Sequence, residues 1–193
     1  MRSVKNECRV LGIDDMAFDK FNEKRAKVVG VLFRGGQFMD GCLSTEVDVD
    51  GSNATEKISS MLMNSKFKKQ VRCIMLDGIA VGGFNIIDVQ ELYQKTNTPV
   101  IVIIRTYPDI EKIHLALKKL GMKEKIELLG RAGGVKRLNI KNSGIYFQNT
   151  GIDESRAKEL IKKTCTRSLI PEPIRVAHLI GQGIMLGESR GSA

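Results

Sequence analysis

Lys27-Val28-Val29-Gly30-Val31-Leu32-Phe33-Arg34-Gly35-Gly36 is a β-branched, apolar run that stops at paired glycines, the punctuation of a tight hairpin. Beyond it, from about Gln37 to Val49, Leu43, Thr45, Val47 and Val49 alternate with Ser44, Glu46 and Asp48. That is the period of a strand with one covered face. Upstream, Arg9-Val10-Leu11-Gly12-Ile13-Asp14-Asp15 reads as a strand that ends in two carboxylates. Three such strands in succession imply an antiparallel meander.

Downstream the period changes. Asp50-Gly51 breaks the strand, and Asn53-Ala54-Thr55-Glu56 has the spacing of a helix cap with an acid three residues later. Ile58, Met61 and Leu62 supply the apolar stripe of a helix reaching about Lys66. Val71 to Leu76 reads as a buried strand followed by Asp77-Gly78, with Gly82-Gly83 as a loop and Asn85 to Lys95 as a helix. Pro99 to Arg105 is a further buried strand, and Asp109 to Leu120 an amphipathic helix stopped by Gly121. Buried strands alternating with helices mark a parallel section of sheet. The last third reads as a helix at Lys123–Gly130, strands at Val135–Ile140 and Ile145–Gln148, and helices at Asp153–Cys165 and from Pro171 to about Met185. No repeat or linker interrupts residues 1–193, so a single domain is expected. The class expected is α/β, and the order is what the ribonuclease H-like fold requires, a mixed sheet of three antiparallel strands followed by parallel strands, flanked by helices, although other α/β folds share pieces of it.

The net charge of +9 is unevenly placed: residues 1–96 hold 14 basic and 13 acidic side chains, and residues 97–193 hold 17 and 9. A basic half attracts polyanions by counterion release, so nucleic acid is the expected partner. The longest apolar runs are too short to cross a bilayer, and the first residues lack the apolar core of a secretion signal. A soluble, cytoplasmic protein is expected. The four cysteines lack zinc-type spacing. Aromatic residues are only 5% of the chain, with no tryptophan, which argues against a broad base-stacking platform. Of the two histidines, His114 falls in a surface-type helix and His178 reads as structural in the last helix. No Ser-His or Cys-His pairing suggests triad chemistry.

The acids carry more. Asp14 or Asp15 ends the first strand and Asp77 ends the first parallel strand. Ligands of open α/β sheets bind beyond the carboxyl ends of strands. Carboxylates converging there suit Mg2+ or Mn2+, which can activate water and stabilise the leaving oxygen in phosphodiester displacement. Glu56 is the candidate third ligand, with Glu46 and Asp50 as rivals, although its spacing fits a capping-box acid equally well. Gly78, Gly82 and Gly83 permit close backbone approach to a phosphate. Arg167 and Arg175, near the last helix, are candidates for holding phosphates; surface or capping roles fit them as well.

Several segments together resemble a largely archaeal family called endonuclease dU. They are Gly12-Ile13-Asp14-Asp15, Arg34-Gly35-Gly36, Asp50-Gly51-Ser52-Asn53-Ala54-Thr55-Glu56-Lys57, Leu76-Asp77-Gly78-Ile79-Ala80-Val81-Gly82-Gly83-Phe84-Asn85 and Pro171-Glu172-Pro173-Ile174-Arg175-Val176-Ala177-His178. The resemblance runs from about Arg9 to Gly191. That family in turn looks like a distant relative of endonuclease V, which nicks strands near deaminated bases with a ribonuclease H-like acid site. By this likeness Asp14, Asp77 and Glu56 would be catalytic and metal-binding. It lapses in two places. The Tyr- and Pro-containing wedge has no counterpart around Asp40-Gly41-Cys42-Leu43, and Asn149-Thr150-Gly151 stands where a functional histidine would be expected.

The resemblance therefore implies a metal-dependent endonuclease on DNA, nicking at or near uracil or another deaminated base. The alternative is a non-catalytic nucleic-acid-binding or adaptor protein that keeps the fold. An enzyme on a small phosphorylated metabolite is the third reading, and would show a narrow closed pocket.

Overall fold

The computed structural model describes residues 6–140 and 143–190. Strands β1 (Arg9–Asp15), β2 (Arg25–Arg34) and β3 (Phe38–Asp48) form the expected antiparallel meander. Helix α1 (Ala54–Met63) leads to β4 (Cys73–Asp77), which lies parallel to β1 on its other side. A small hairpin, β5 (Ala80–Val81) and β6 (Asn85–Ile86), precedes α2 (Val89–Thr96) and β7 (Val100–Ile104), the latter parallel to β4. Helices α3 (Ile110–Lys119) and α4 (Glu124–Arg131) follow, then β8 (Lys136–Ile140), β9 (Ser143–Thr150), α5 (Glu154–Thr164) and α6 (Glu172–Leu186). The seven-stranded sheet has the order β3-β2-β1-β4-β7-β9-β8. Among the described residues the parallel pairings are β1 with β4 and β4 with β7; β9 returns antiparallel to β7 and pairs with β8 as a hairpin.

The pleat sorts the core into two layers. Leu11, Ile13, Ile74 and Leu76 point to one face and pack with Ile58 and Leu62 of α1 and Leu92 of α2. Val10, Cys73, Met75, Ile101 and Ile103 point to the other, against Leu160 and Ile161 of α5 and Ile174 of α6. Because strand side chains alternate, Asp14 and Asp77 continue the second set, toward α6.

Two glycines let α6 lie close along β1. A Cβ on Gly12 would sit 2.2 Å from the carbonyl carbon of Pro173, and one on Gly181 would sit 3.2 Å from Cα of Met16. Gly12→Ala is therefore expected to push the start of α6 off the sheet and to cost about 3 kcal/mol in urea unfolding, as overpacked cores do. An unchanged midpoint would contradict this seat for α6.

Local spacing misled at α1. Asn53 does not cap the helix; its side chain turns back to the Asp48 amide (3.1 Å) and carboxylate (2.9 Å). The helix amide of Ala54 is satisfied instead by Asn85 Oδ1 at 3.0 Å, from the first residue of β6 in the β5–β6 hairpin. That hairpin turns at Gly82 and Gly83, with φ of 57° and 83°, where glycine avoids the strain of a Cβ. Lys125 of α4, 3% exposed, fastens the same region by donating to the carbonyls of Asp50 (2.7 Å), Gly51 (2.8 Å) and Phe84 (2.9 Å). Those three bonds satisfy an ammonium that burial would otherwise penalise.

Candidate metal centre

In the parallel pairing of β1 with β4, Gly12 lies beside Met75 and Ile13 beside Leu76. One further step along that register brings Asp14 beside Asp77 at the carboxyl ends of both strands. Helix α6, lying close over Gly12, adds His178. Ligand atoms of Asp14, Asp77 and His178 lie within 4.8 Å of one another. They line an open cleft of about 410 Å³ with Asp15, Arg105 and Gln182.

The hydrogen bonds define how each group is held. Asp14 is 6% exposed; its Oδ1 accepts from the Asp15 amide at 2.9 Å and its Oδ2 lies 2.8 Å from His178 Nδ1. Gln182, one turn further along α6, places its side-chain Nε2 3.0 Å from His178 Nε2. With the amide donating there, the imidazole is left to donate from Nδ1 to Asp14. Arg105, just past β7, donates to Asp77 Oδ2 at 2.7 Å and to Oδ1 at 3.5 Å. Asp15 faces the other side of the sheet, and its Oδ2 accepts from the Gly82 amide at 2.7 Å. The strand period thus separates the neighbouring acids: Asp14 enters the cluster, and Asp15 anchors the glycine turn.

Burial raises the Asp14 carboxyl above its ordinary value, the imidazole's hydrogen bond opposes this, and the negative charge of Asp77 adds to it. The hydrogen bond to Asp14 in turn raises His178, against its partial burial. Asp15 is pushed up to about 6, chiefly by burial, despite the Gly82 amide. Two carboxylates crowded together, one of them buried, form a site whose charge a cation would relieve. The donor set, two carboxylate oxygens and one imidazole nitrogen, fits a divalent ion and suits Mn2+ at least as well as Mg2+, because magnesium prefers oxygen ligands.

Glu56 is not brought to this cluster. It is exposed in the first turn of α1, and α1 packs on the sheet face opposite the one Asp14 and Asp77 share. Its negative charge acts on Lys95 of α2, away from the acids. Of the rivals, Glu46 pairs loosely with Arg25 at 3.7 Å, and Asp50 accepts the Phe84 amide at 2.7 Å. The third position of the described cluster belongs to His178, which sequence reading had placed as structural. The signal lay in spacing: Gly181, three residues after His178, marks the helix face that approaches β1.

Arg167 and Arg175 also lie elsewhere. Both line a separate concavity with Phe33, Gly36, Gln37 and Glu172. There the Arg175 guanidinium donates to Glu172 Oε2 at 3.0 and 2.7 Å. The Arg167 amide donates to Glu172 Oε1 at 3.2 Å.

A mixed sheet of this order has counterparts among solved nucleases. The structure of Ciona intestinalis endonuclease V, in complex with DNA containing an inosine followed by a ribo-adenosine, superposes with a TM-score of 0.61 at 18% identity. The match covers 93% of this chain and 86% of that one. At such identity the likeness is one of fold alone: the mixed sheet and its flanking helices match those of endonuclease V. The sequence is more particular: the endonuclease dU profile matches residues 6–185, and the chain belongs to the endonuclease dU family. A UPF0215 protein of Methanosarcina acetivorans is 49% identical, over 98% of this chain and 97% of the relative. The crystal structure of an Archaeoglobus fulgidus protein of unknown function is 38% identical, with a TM-score of 0.82, covering 92% of this chain and 98% of that one.

Proposed function

We propose that this protein is a divalent-metal-dependent endonuclease acting on DNA, nicking at or near uracil or another deaminated base. The observation that carries the reading is the convergence of Asp14, Asp77 and His178 at the carboxyl ends of two adjacent parallel strands. Family membership and a structural neighbour bound to inosine-containing DNA support it. The open shape of the cleft suits a polymer better than a small metabolite.

Asp14, Asp77 and His178 would hold Mg2+ or Mn2+. The ion, when bound, supplies Lewis acidity and lowers the pKa of water. The residues around it supply position. To ligate through Nδ1 the imidazole would carry its proton on Nε2 and donate it to the Gln182 amide oxygen, so Gln182 would select that tautomer, and the Asp15 amide fixes the other Asp14 oxygen. Arg105 orients Asp77 and offers a guanidinium beside the cleft, suited to a phosphate oxygen. The excess of basic side chains in residues 97–193 favours a polyanionic partner.

The direct test is a cleavage screen of end-labelled oligonucleotides carrying uracil, inosine or no lesion, with Mg2+ and with Mn2+. Nicking of the lesion strands is expected; uniform inactivity on every strand with both ions would contradict the reading. One observation favours a second reading, a binding or adaptor protein that keeps the fold. The Arg105 guanidinium already neutralises Asp77, and so competes with a cation. Salt-sensitive DNA binding without Mn2+ uptake would favour that alternative.

A further inference from the structure

Few aromatic side chains in this chain face solvent, and their placement is uneven. Among the described residues the strongly exposed aromatics are Phe21 (84% exposed), Phe38 (61%) and Tyr107 (60%). Phe38 opens β3, at the far end of the sheet from the acids. Phe21 and Tyr107 are at the acid end. Phe21 lies in the connection that leaves β1 directly after Asp14 and Asp15. Tyr107 lies three residues past β7, beyond the Arg105 that grips Asp77. In the strand order β1-β4-β7, these connections flank the central strand whose end carries Asp77.

Both rings sit on ordered supports. Asp19 Oδ1 accepts the Phe21 amide at 2.9 Å and Asp19 Oδ2 accepts from Asn22 Nδ2 at 2.6 Å, so the loop holds its shape while the ring projects outward. The Lys20 ammonium lies 5.0 Å from the Phe21 ring centroid, which sets a phosphate-seeking cation beside a stacking surface. Tyr107 meets Tyr146 of β9 edge to face, with centroids 5.3 Å apart and planes at 71°. An exposed aromatic gains little from folding, since it buries little apolar area. A base with a free π-face gives such a ring something to cover.

We propose that Phe21 and Tyr107 are base-stacking residues, one on each side of the acid cleft, and that they select nucleotides that are unpaired. A paired base within a duplex has both faces covered and offers neither ring a partner. Scarce aromatics exclude a continuous single-strand track; two placed rings suffice to hold the bases that flank one phosphate. The proposal rests on the nucleic-acid reading of the cleft, and it assigns the residues that discriminate among strands.

The test is binding in EDTA, where cleavage plays no part. The probe is a thymidine oligonucleotide carrying one 2-aminopurine, whose fluorescence falls on stacking. Phe21→Ala and Tyr107→Ala are each expected to weaken binding about tenfold, and the double variant more, with the quench lost. Affinity for a fully paired duplex of the same sequence should change less than about twofold by the same reasoning. Phe21→Trp and Tyr107→Phe should retain binding and quench, whereas Phe21→Leu, apolar but not aromatic, should not. A double variant that binds within twofold of the parent, a leucine variant that quenches as the parent does, or a parent that binds no oligonucleotide would overturn the proposal. Intact stacking in a protein that never cleaves would count against the nuclease reading alone.

Discussion

Asp77→Asn is expected to lower metal-dependent nicking at least about a thousandfold, a loss of roughly 4 kcal/mol in transition-state stabilisation. The substitution keeps the shape at the end of β4 and one oxygen for Arg105, but it removes a unit charge from the donor set. Asp77 is only partly buried and Arg105 is 38% exposed, so breaking their ion pair should cost stability of only about 1 kcal/mol or less. Folding and duplex affinity should therefore stay near those of the parent. Rates on the preferred lesion strand, measured beside a thermal melt, check both parts. A variant that nicks as well as the parent would remove Asp77 from the site.

His178→Ala is expected to lower nicking about a hundredfold, in line with the loss of one member of a metal-binding constellation. Its effect on pH is more diagnostic. The imidazole's hydrogen bond lowers Asp14, while burial and Asp77 raise it. Removing the imidazole leaves the raising influences opposed only by the Asp15 amide, so Asp14 keeps its proton to higher pH. The acid limb of the pH–rate profile should move upward, and added Mn2+ should recover part of the rate by displacing that proton. A profile that merely scales down, without moving, would indicate a structural role. Stability carries the same sign. In the folded protein His178 and Asp14 both hold protons more tightly than ordinary groups do. Metal-free protein should therefore be best stabilised by them below their unfolded values. That contribution should be lost as the pH rises through the folded ones.

What could be read in the sequence was whatever depends on neighbours along the chain. The glycine pair at Gly35-Gly36, the alternation through Val47, and the apolar run before Asp77 each report a local period, and the meander and β4 followed from them. The same alternation separates Asp14 from Asp15, once Asp14 is counted in step with Val10 and Gly12. What stayed hidden was set by contacts between distant segments. Nothing near Asn53 says that Asn85, far along the chain, will cap α1 while Asn53 turns back to Asp48. Glu56 has the sequence position of a site acid, but α1 covers the wrong face of the sheet. Nothing in the run around β9 says that it pairs antiparallel to β7, since a buried strand reads alike in either direction. His178 joins Asp14 only because a helix crosses a strand at two glycines, one on each element.

The most direct measurement is anomalous diffraction from crystals soaked in Mn2+, collected on the parent and on Asp77→Asn. A single strong peak is expected among the Asp14 and Asp77 carboxylates and the His178 imidazole, with the Arg105 side chain drawn off Asp77, and no peak in the variant. Manganese bound elsewhere, or this position left empty while the enzyme cleaves in the same solution, would contradict the assignment of these three residues.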